Sequence, residues 1–181
     1  MGDVVFDNNR APVEINTDKK VRRSTVLGKL IEIIASENEE RQDLKRDPAE
    51  VLNKIEHNQL ITYKWLVDSY IENSILVDSS MRQLNKDING GTTKLKRQMN
   101  IFYRESLAKF QIATRPVDLG KLRELADFVV EDIMKRAKSF VNNSSDLGDG
   151  YFDEDISWGI ELVTSYSIIE CIVLENPNVN N

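Results

Sequence analysis

Apolar residues along this chain recur at helical spacing, and no alternating run is long enough to predict a sheet. Leu27, Leu30, Ile31 and Ile34 fall at i, i+3, i+4 and i+7, with Ser24 or Thr25 placed to cap the helix they predict. The charged stretch from Glu37 to Asp47 ends that helix, and Asp47-Pro48 reads as cap and first turn of the next. From Pro48 the pattern stays helical almost to Asp87, with a break expected around His57-Asn58-Gln59. Leu66, Tyr70, Val77, Met81 and Leu84 share one face there, widened by Trp65, Ile71 and Ile75. Asn89-Gly90-Gly91 is a stop, Thr92 or Thr93 a cap, and Leu95, Met99, Phe102, Leu107 and Phe110 predict a helix that closes at Arg115-Pro116.

The regular stripe Leu122, Ala126, Val129, Ile133, Ala137 and Phe140 predicts a long helix capped by Asp118. After a loop from Asn142 to Gly150, Asp153-Glu154-Asp155 open a last helix, where carboxylates complement the free backbone N–H groups. This helix is apolar on two faces, Ile156, Ile160, Val163 and Cys171 on one and Leu162, Tyr166, Ile169 and Val173 on the other. Such a helix belongs in the middle of a bundle. Pro177 is expected to close it. The expected fold is an all-α bundle of about five helices over residues 21–177, with an irregular arm at 1–20 and a tail at 178–181.

The length, 181 residues, suits one domain. Four prolines and eight glycines leave long stretches unbroken. The net charge of −6 opposes bulk electrostatic attraction to DNA or anionic lipid. One cysteine, Cys171, excludes an internal disulfide and a thiolate zinc cluster, and one histidine, His57, excludes sites built on several imidazoles. The N-terminus has neither the basic region nor the apolar core of a signal peptide, and Phe6 breaks the myristoylation pattern. The apolar run Ile156–Leu174 carries Glu161 and Glu170, and each carboxylate costs about 2.5–3.5 kcal/mol near a bilayer centre, so no span is expected. These features together predict a cytoplasmic protein.

No catalytic constellation emerges. His57 lacks a nucleophile placed with it by any motif, and Cys171 sits among apolar neighbours. The Asp146-Leu147-Gly148-Asp149-Gly150 loop fails the calcium-loop register, because Leu147 and Ile156 fall where oxygen ligands are required. Gly90-Gly91-Thr92 lacks the strand and the Lys-Ser/Thr pair of a phosphate loop. The expectation is no cofactor, no metal and no enzymatic activity. Charge is uneven: residues 92–115 carry Lys94, Lys96, Arg97, Arg104, Lys109 and Arg115 against Glu105, whereas acids dominate from 116 onward. With Phe102 and Tyr103 interleaved, Lys94, Lys96, Arg97 and Arg104 are candidate nucleic-acid contacts. Pairing of this basic helix with the acidic C-terminal helices is the competing expectation.

Four stretches, in order, carry a resemblance: Val21-Arg22-Arg23-Ser24-Thr25-Val26-Leu27, Lys54-Ile55-Glu56-His57-Asn58, Ile101-Phe102-Tyr103 in the basic helix, and Cys171-Ile172-Val173-Leu174-Glu175-Asn176-Pro177. Over residues 21–177 the chain resembles the C-terminal helical domains of effectors in bacterial ABC-three-component conflict systems, the group that includes Lamassu-type antiphage defence. The resemblance implies a non-catalytic module that tethers an effector to an ABC- or SMC-type ATPase and a middle component. It also implies structural or interface roles for Arg22, Arg23, Ser24, Lys54, Glu56, Asn58, Glu175, Asn176 and Pro177. DNA would be reached only through the complex, and a homo-oligomer is compatible with the surplus of apolar helix surface. Ahead of the module the family carries a catalytic domain where this chain has its arm, so a stand-alone small component or an excised C-terminal part is expected. A nucleic-acid-contacting accessory protein and an immunity or antitoxin protein remain alternatives.

Overall fold

A computed structural model describes residues 22–36, 48–147, 151–170 and 172–177. The expected arm, the Glu37–Asp47 stretch, Cys171 and the tail lie outside the described residues. Within them the chain is all-α, with helices α1 (Val26–Ser36), α2 (Pro48–Asn58), α3 (Trp65–Glu72), α4 (Ser74–Asp87), α5 (Gly91–Lys109), α6 (Leu119–Asn142) and α7 (Asp153–Ile169). That is seven helices among the described residues, where the pattern predicts about five. None of them is long and apolar enough to cross a membrane.

The extra helices come from breaks made by polar residues. At the expected break, Gln59 takes a left-handed φ of 54°, while the N–H groups of Gln59 and Leu60 reach back to the carbonyls of Glu56 and Ile55 at 3.2 and 3.1 Å. These paired back-bonds close α2 and drop Leu60 into the core. The second break, at Asn73, is not in the hydrophobic pattern, because the apolar face continues through it. The Asn73 side-chain amide donates to the Ser69 carbonyl at 2.7 Å, and its backbone N–H donates there and to Tyr70, ending α3 as α4 begins.

Two other boundaries also differ from expectation. The turn at Gln111 (φ 55°) repeats the geometry of Gln59, with Ile112 N–H bonded to the Leu107 carbonyl at 2.9 Å. It ends α5 at Lys109, well before Arg115-Pro116. The cap of α5 is not Thr92 or Thr93: Gly90 occupies the left-handed region, and the Asn85 side chain accepts from the Thr92 N–H at 3.0 Å. Likewise α7 stops at Ile169 and not at Pro177. Residues 172–177 turn back against the bundle, burying Val173 and Leu174.

The core follows the predicted stripes. Leu122, Ala126, Val129, Ile133 and Ala137 of α6 are buried, and Asp118 caps that helix by accepting from the Lys121 N–H at 3.1 Å. As its two apolar faces predict, α7 is buried on nearly every side and packs against α1, α3 and α6. Its crossing with α1 is close because Gly159 faces Ile31; a β-carbon there would lie 2.9 Å from Ile31 Cγ2.

Candidate functional site

The four stretches quoted above fall in two separate places, residues 22–27 in one and residues 54–58, 101–103 and 172–177 together in the other, and both places are fastened by side chains. The first place is the start of α1. Thr25 Oγ1 accepts from the Gly28 N–H at 2.9 Å, which makes Thr25 the helix cap. Asp146, from the loop after α6, accepts from the Thr25 N–H at 2.6 Å and from its hydroxyl at 3.1 Å. Gly28 leaves the space for that carboxylate, since a β-carbon would lie 2.4 Å from Asp146 Oδ2. Ser24 Oγ lies 3.4 Å from Ser145 Oγ, and the Arg23 carbonyl accepts from the Ser145 N–H at 3.2 Å. The guanidinium groups of Arg22 and Arg23 are exposed and make no hydrogen bond or ion pair among the described residues.

The second place joins α2, α5 and the segment after α7. Asn58 is fully buried, and its amide grips one residue from both sides: Nδ2 donates to the Glu175 carbonyl at 2.9 Å, and Oδ1 accepts from the Glu175 N–H at 3.0 Å. A third bond runs from Nδ2 to the Lys54 carbonyl at 2.9 Å. Lys54 is buried too, and its ammonium donates to the Ile168 carbonyl in the last turn of α7, where the helix dipole favours a cation. Tyr103 donates its hydroxyl to Glu175 Oε1 at 3.0 Å. Burial, with the Glu175 charge beside it, pushes the Tyr103 phenol well above its ordinary range, so it remains a donor. Asn100 adds a long bond, 3.5 Å, to the Ile172 carbonyl. Glu56 is exposed, while Asn176 and Pro177 are half-buried. Lys54, Asn58, Tyr103 and Glu175 thus form a structural clasp, from which the start of α1 stands apart.

The basic helix divides in two. Lys96 pairs with Glu170 at 3.1 Å, and Lys109 pairs with buried Asp132 at 2.5 Å. Asp132 also accepts from Ser106 at 2.7 Å and from Arg136 at 2.6 Å, and Arg136 reaches Glu105 at 2.6 Å. Burial alone would raise the Asp132 pKa, but the bonds from Lys109, Arg136 and Ser106 outweigh it and hold the carboxyl at about 2. This half matches the expectation that α5 pairs with the acidic helices. The other half, Lys94, Arg97 and Arg104, lines the exposed side of α5 with Ile101 and makes no ion pair among the described residues.

His57 has a structural setting. Arg123 Nε donates to its backbone carbonyl at 2.7 Å, and Arg123 Nη2 lies 3.5 Å from Nδ1. Among the described residues no group of histidine, cysteine and carboxylate side chains could hold a metal ion.

Trp65, Ile71, Ile75, Phe128, Val130, Trp158 and Ile168 are apolar residues that lie off the principal stripes of their helices. Val130 and Ile168 are buried, and Ile71, Ile75 and Trp158 half-buried, while Trp65 and Phe128 stand 45% and 55% exposed. Ile61, which periodicity did not single out, is 79% exposed. Asp127 accepts from the N–H groups of Ile61 and Tyr63 at 3.3 and 3.0 Å and so fixes the turn bearing Ile61 and Trp65 to α6, one residue from Phe128. No family model, curated protein or solved structure matches this chain.

Proposed function

We propose that the chain is a non-catalytic helical interaction module, linking an effector to an ABC/SMC-type ATPase complex with its middle component in a bacterial ABC-three-component defence system. The observation that carries the interaction role is the set of apolar side chains held in solvent on an anchored frame. Ile61, Trp65 and Phe128 project from a turn and a helix that Asp127 ties together. Large exposed apolar side chains on a well-fastened surface mark interfaces, and tryptophan is prominent among residues that dominate binding. The resemblance in the clasp residues supplies the family of partners.

The test is co-expression with the products of neighbouring genes. Co-purification of an ATPase and a small third component is expected, and Trp65→Ala with Phe128→Ala should abolish it while leaving the helical circular dichroism unchanged. A strictly monomeric chain that retains no neighbouring product would overturn the proposal. A second reading, contact with nucleic acid, rests on Lys94, Arg97 and Arg104, which span about 15 Å of helix at 1.5 Å per residue.

A further inference from the structure

Asn89 is the one asparagine in the sequence followed by glycine, and the fold places the pair at the tight junction of α4 and α5. The turn Ile88-Asn89-Gly90-Gly91 is closed by the Gly91 N–H, which donates to the Ile88 carbonyl at 2.9 Å. Gly90 holds φ 67° and ψ 30°, a left-handed conformation that glycine adopts without steric cost. Both Asn89 and Gly90 are exposed. The Asn89 side-chain amide makes no hydrogen bond among the described residues, and neither does the Gly90 N–H. A β-carbon built on Gly90 would meet nothing within 4 Å, so the space beside that nitrogen is open. Asparagines that precede serine are held differently. Asn73, before Ser74, and Asn143, before Ser144, each donate Nδ2 to the carbonyl four residues back, at 2.7 Å from Ser69 and Ser139. Those bonds turn the carboxamide back along the preceding helix. The Ser144 N–H is itself engaged, with the Val141 carbonyl at 2.9 Å.

We propose that Asn89 is a modification site, where the side chain cyclises onto the Gly90 nitrogen and is converted by water to isoaspartate or aspartate. Asparagine is among the chemically labile residues, and the free carboxamide, the free N–H and the missing β-carbon at Gly90 leave this one unprotected. The Gly90 nitrogen gives its proton to solvent and attacks Asn89 Cγ. The new N–Cγ bond closes a five-membered succinimide, while the Cγ–Nδ2 bond breaks and releases ammonia. Water then adds to one of the two ring carbonyls and breaks its bond to nitrogen. Opening at Cγ leaves aspartate in an ordinary chain; opening at the main-chain carbonyl leaves isoaspartate, with the chain running through the former side chain. Isoaspartate lengthens the main chain of a tight turn by one methylene, so the bond from Gly91 to Ile88 loses its geometry. Gly91 has little room to adjust, because a β-carbon on it would lie 2.8 Å from Leu84 Cγ. Either product adds one negative charge ahead of α5, where the helix dipole favours it. The inference concerns this junction alone and stands whichever complex the module serves.

The experiment ages the full chain in native buffer near neutral pH and follows it by peptide mass spectrometry. Isoaspartate is read by methyl transfer from S-adenosylmethionine with an isoaspartyl carboxyl methyltransferase. The peptide bearing Asn89 should gain one mass unit well before those bearing Asn73 and Asn143, and the methyl label should appear on it. Asn89→Gln should lose both signals, because its cyclisation needs a six-membered ring. Gly90→Ala should slow the gain several-fold by shielding the nitrogen with a β-carbon. Hydrogen exchange on the aged fraction should show less protection at the amides of Gly91 and Lys94, the second of which donates to the Gly90 carbonyl at 3.0 Å. An Asn89 peptide that stays intact, or gains mass no sooner than those of Asn73 and Asn143, overturns the proposal. Mass gain at Asn89 with no methyl-accepting product would mean direct hydrolysis of the amide and overturns the cyclic route, as would an equal rate in Gly90→Ala. Unchanged exchange at Gly91 and Lys94 in the isoaspartate fraction overturns the loosened turn.

Discussion

Replacing Asn58 by alanine removes one side chain and three hydrogen bonds, two of which hold Glu175 from opposite sides. Each contributes about 1 kcal/mol net, and the Glu175 N–H, left without its acceptor in a part-buried place, adds a further cost of about 1 kcal/mol. Collapse of the site returns some of this, so Asn58→Ala should destabilise by about 2–4 kcal/mol. Urea denaturation reads the loss as a lower midpoint at unchanged slope. Hydrogen exchange should localise it, with the Glu175 amide losing protection before those of α6. Asn58→Asp separates shape from bonding. It keeps the acceptor for the Glu175 N–H but aims negative charge at the Glu175 and Lys54 carbonyls. At neutral pH it should cost more than alanine, and acidification should recover part of the difference as the neutral acid regains one donor. A loss below about 0.5 kcal/mol for Asn58→Ala, with Glu175 still protected, would refute the clasp as a source of stability.

Three further outcomes follow from other contacts. Because the folded pKa of Asp132 is lowered to about 2 from 3.8, its contribution is fully present above pH 4 and is lost as pH falls toward 2; the shift is worth about 2 kcal/mol, less where solvent screens Lys109, and acid unfolding of Asp132→Asn should show a flatter slope over that range. Gly159→Ala should overpack the crossing of α1 and α7 against Ile31 and lower stability by about 1–3 kcal/mol in thermal melts. Duplex DNA should bind only weakly near 150 mM salt, with dissociation constants of about 10⁻⁶ M or above; submicromolar binding abolished by reversing Lys94, Arg97 and Arg104 would favour the nucleic-acid reading.

Periodicity reads what burial enforces over several turns. The α6 stripe and the two-faced α7 are legible because apolar residues recur at most of their core-facing steps. The stops that periodicity misses are made by side chains with no strong signature. Gln59 and Gln111 take a left-handed turn where glycine would have announced it, and Asn73 cuts an apolar face that runs on beyond it. Asp132 reads as a polar position on a solvated helix, yet it is buried because Ser106 and Lys109 arrive from α5. Lys54 and Asn58 stand out in sequence only within the motif. Their work becomes visible once α7 and the segment after it are in place, since their partners Ile168 and Glu175 are 114 and 117 residues away.

Those separations set an order of events during synthesis. Asn58 leaves the ribosome long before Glu175 has been joined to the chain, and Thr25 likewise waits 121 residues for Asp146. For most of translation α1 and α2 therefore exist without their fasteners, and closing loops of this length is entropically slow. The two ties form late. In a refolding experiment, mutations at Asn58 or Asp146 should speed unfolding and leave the folding rate almost unchanged.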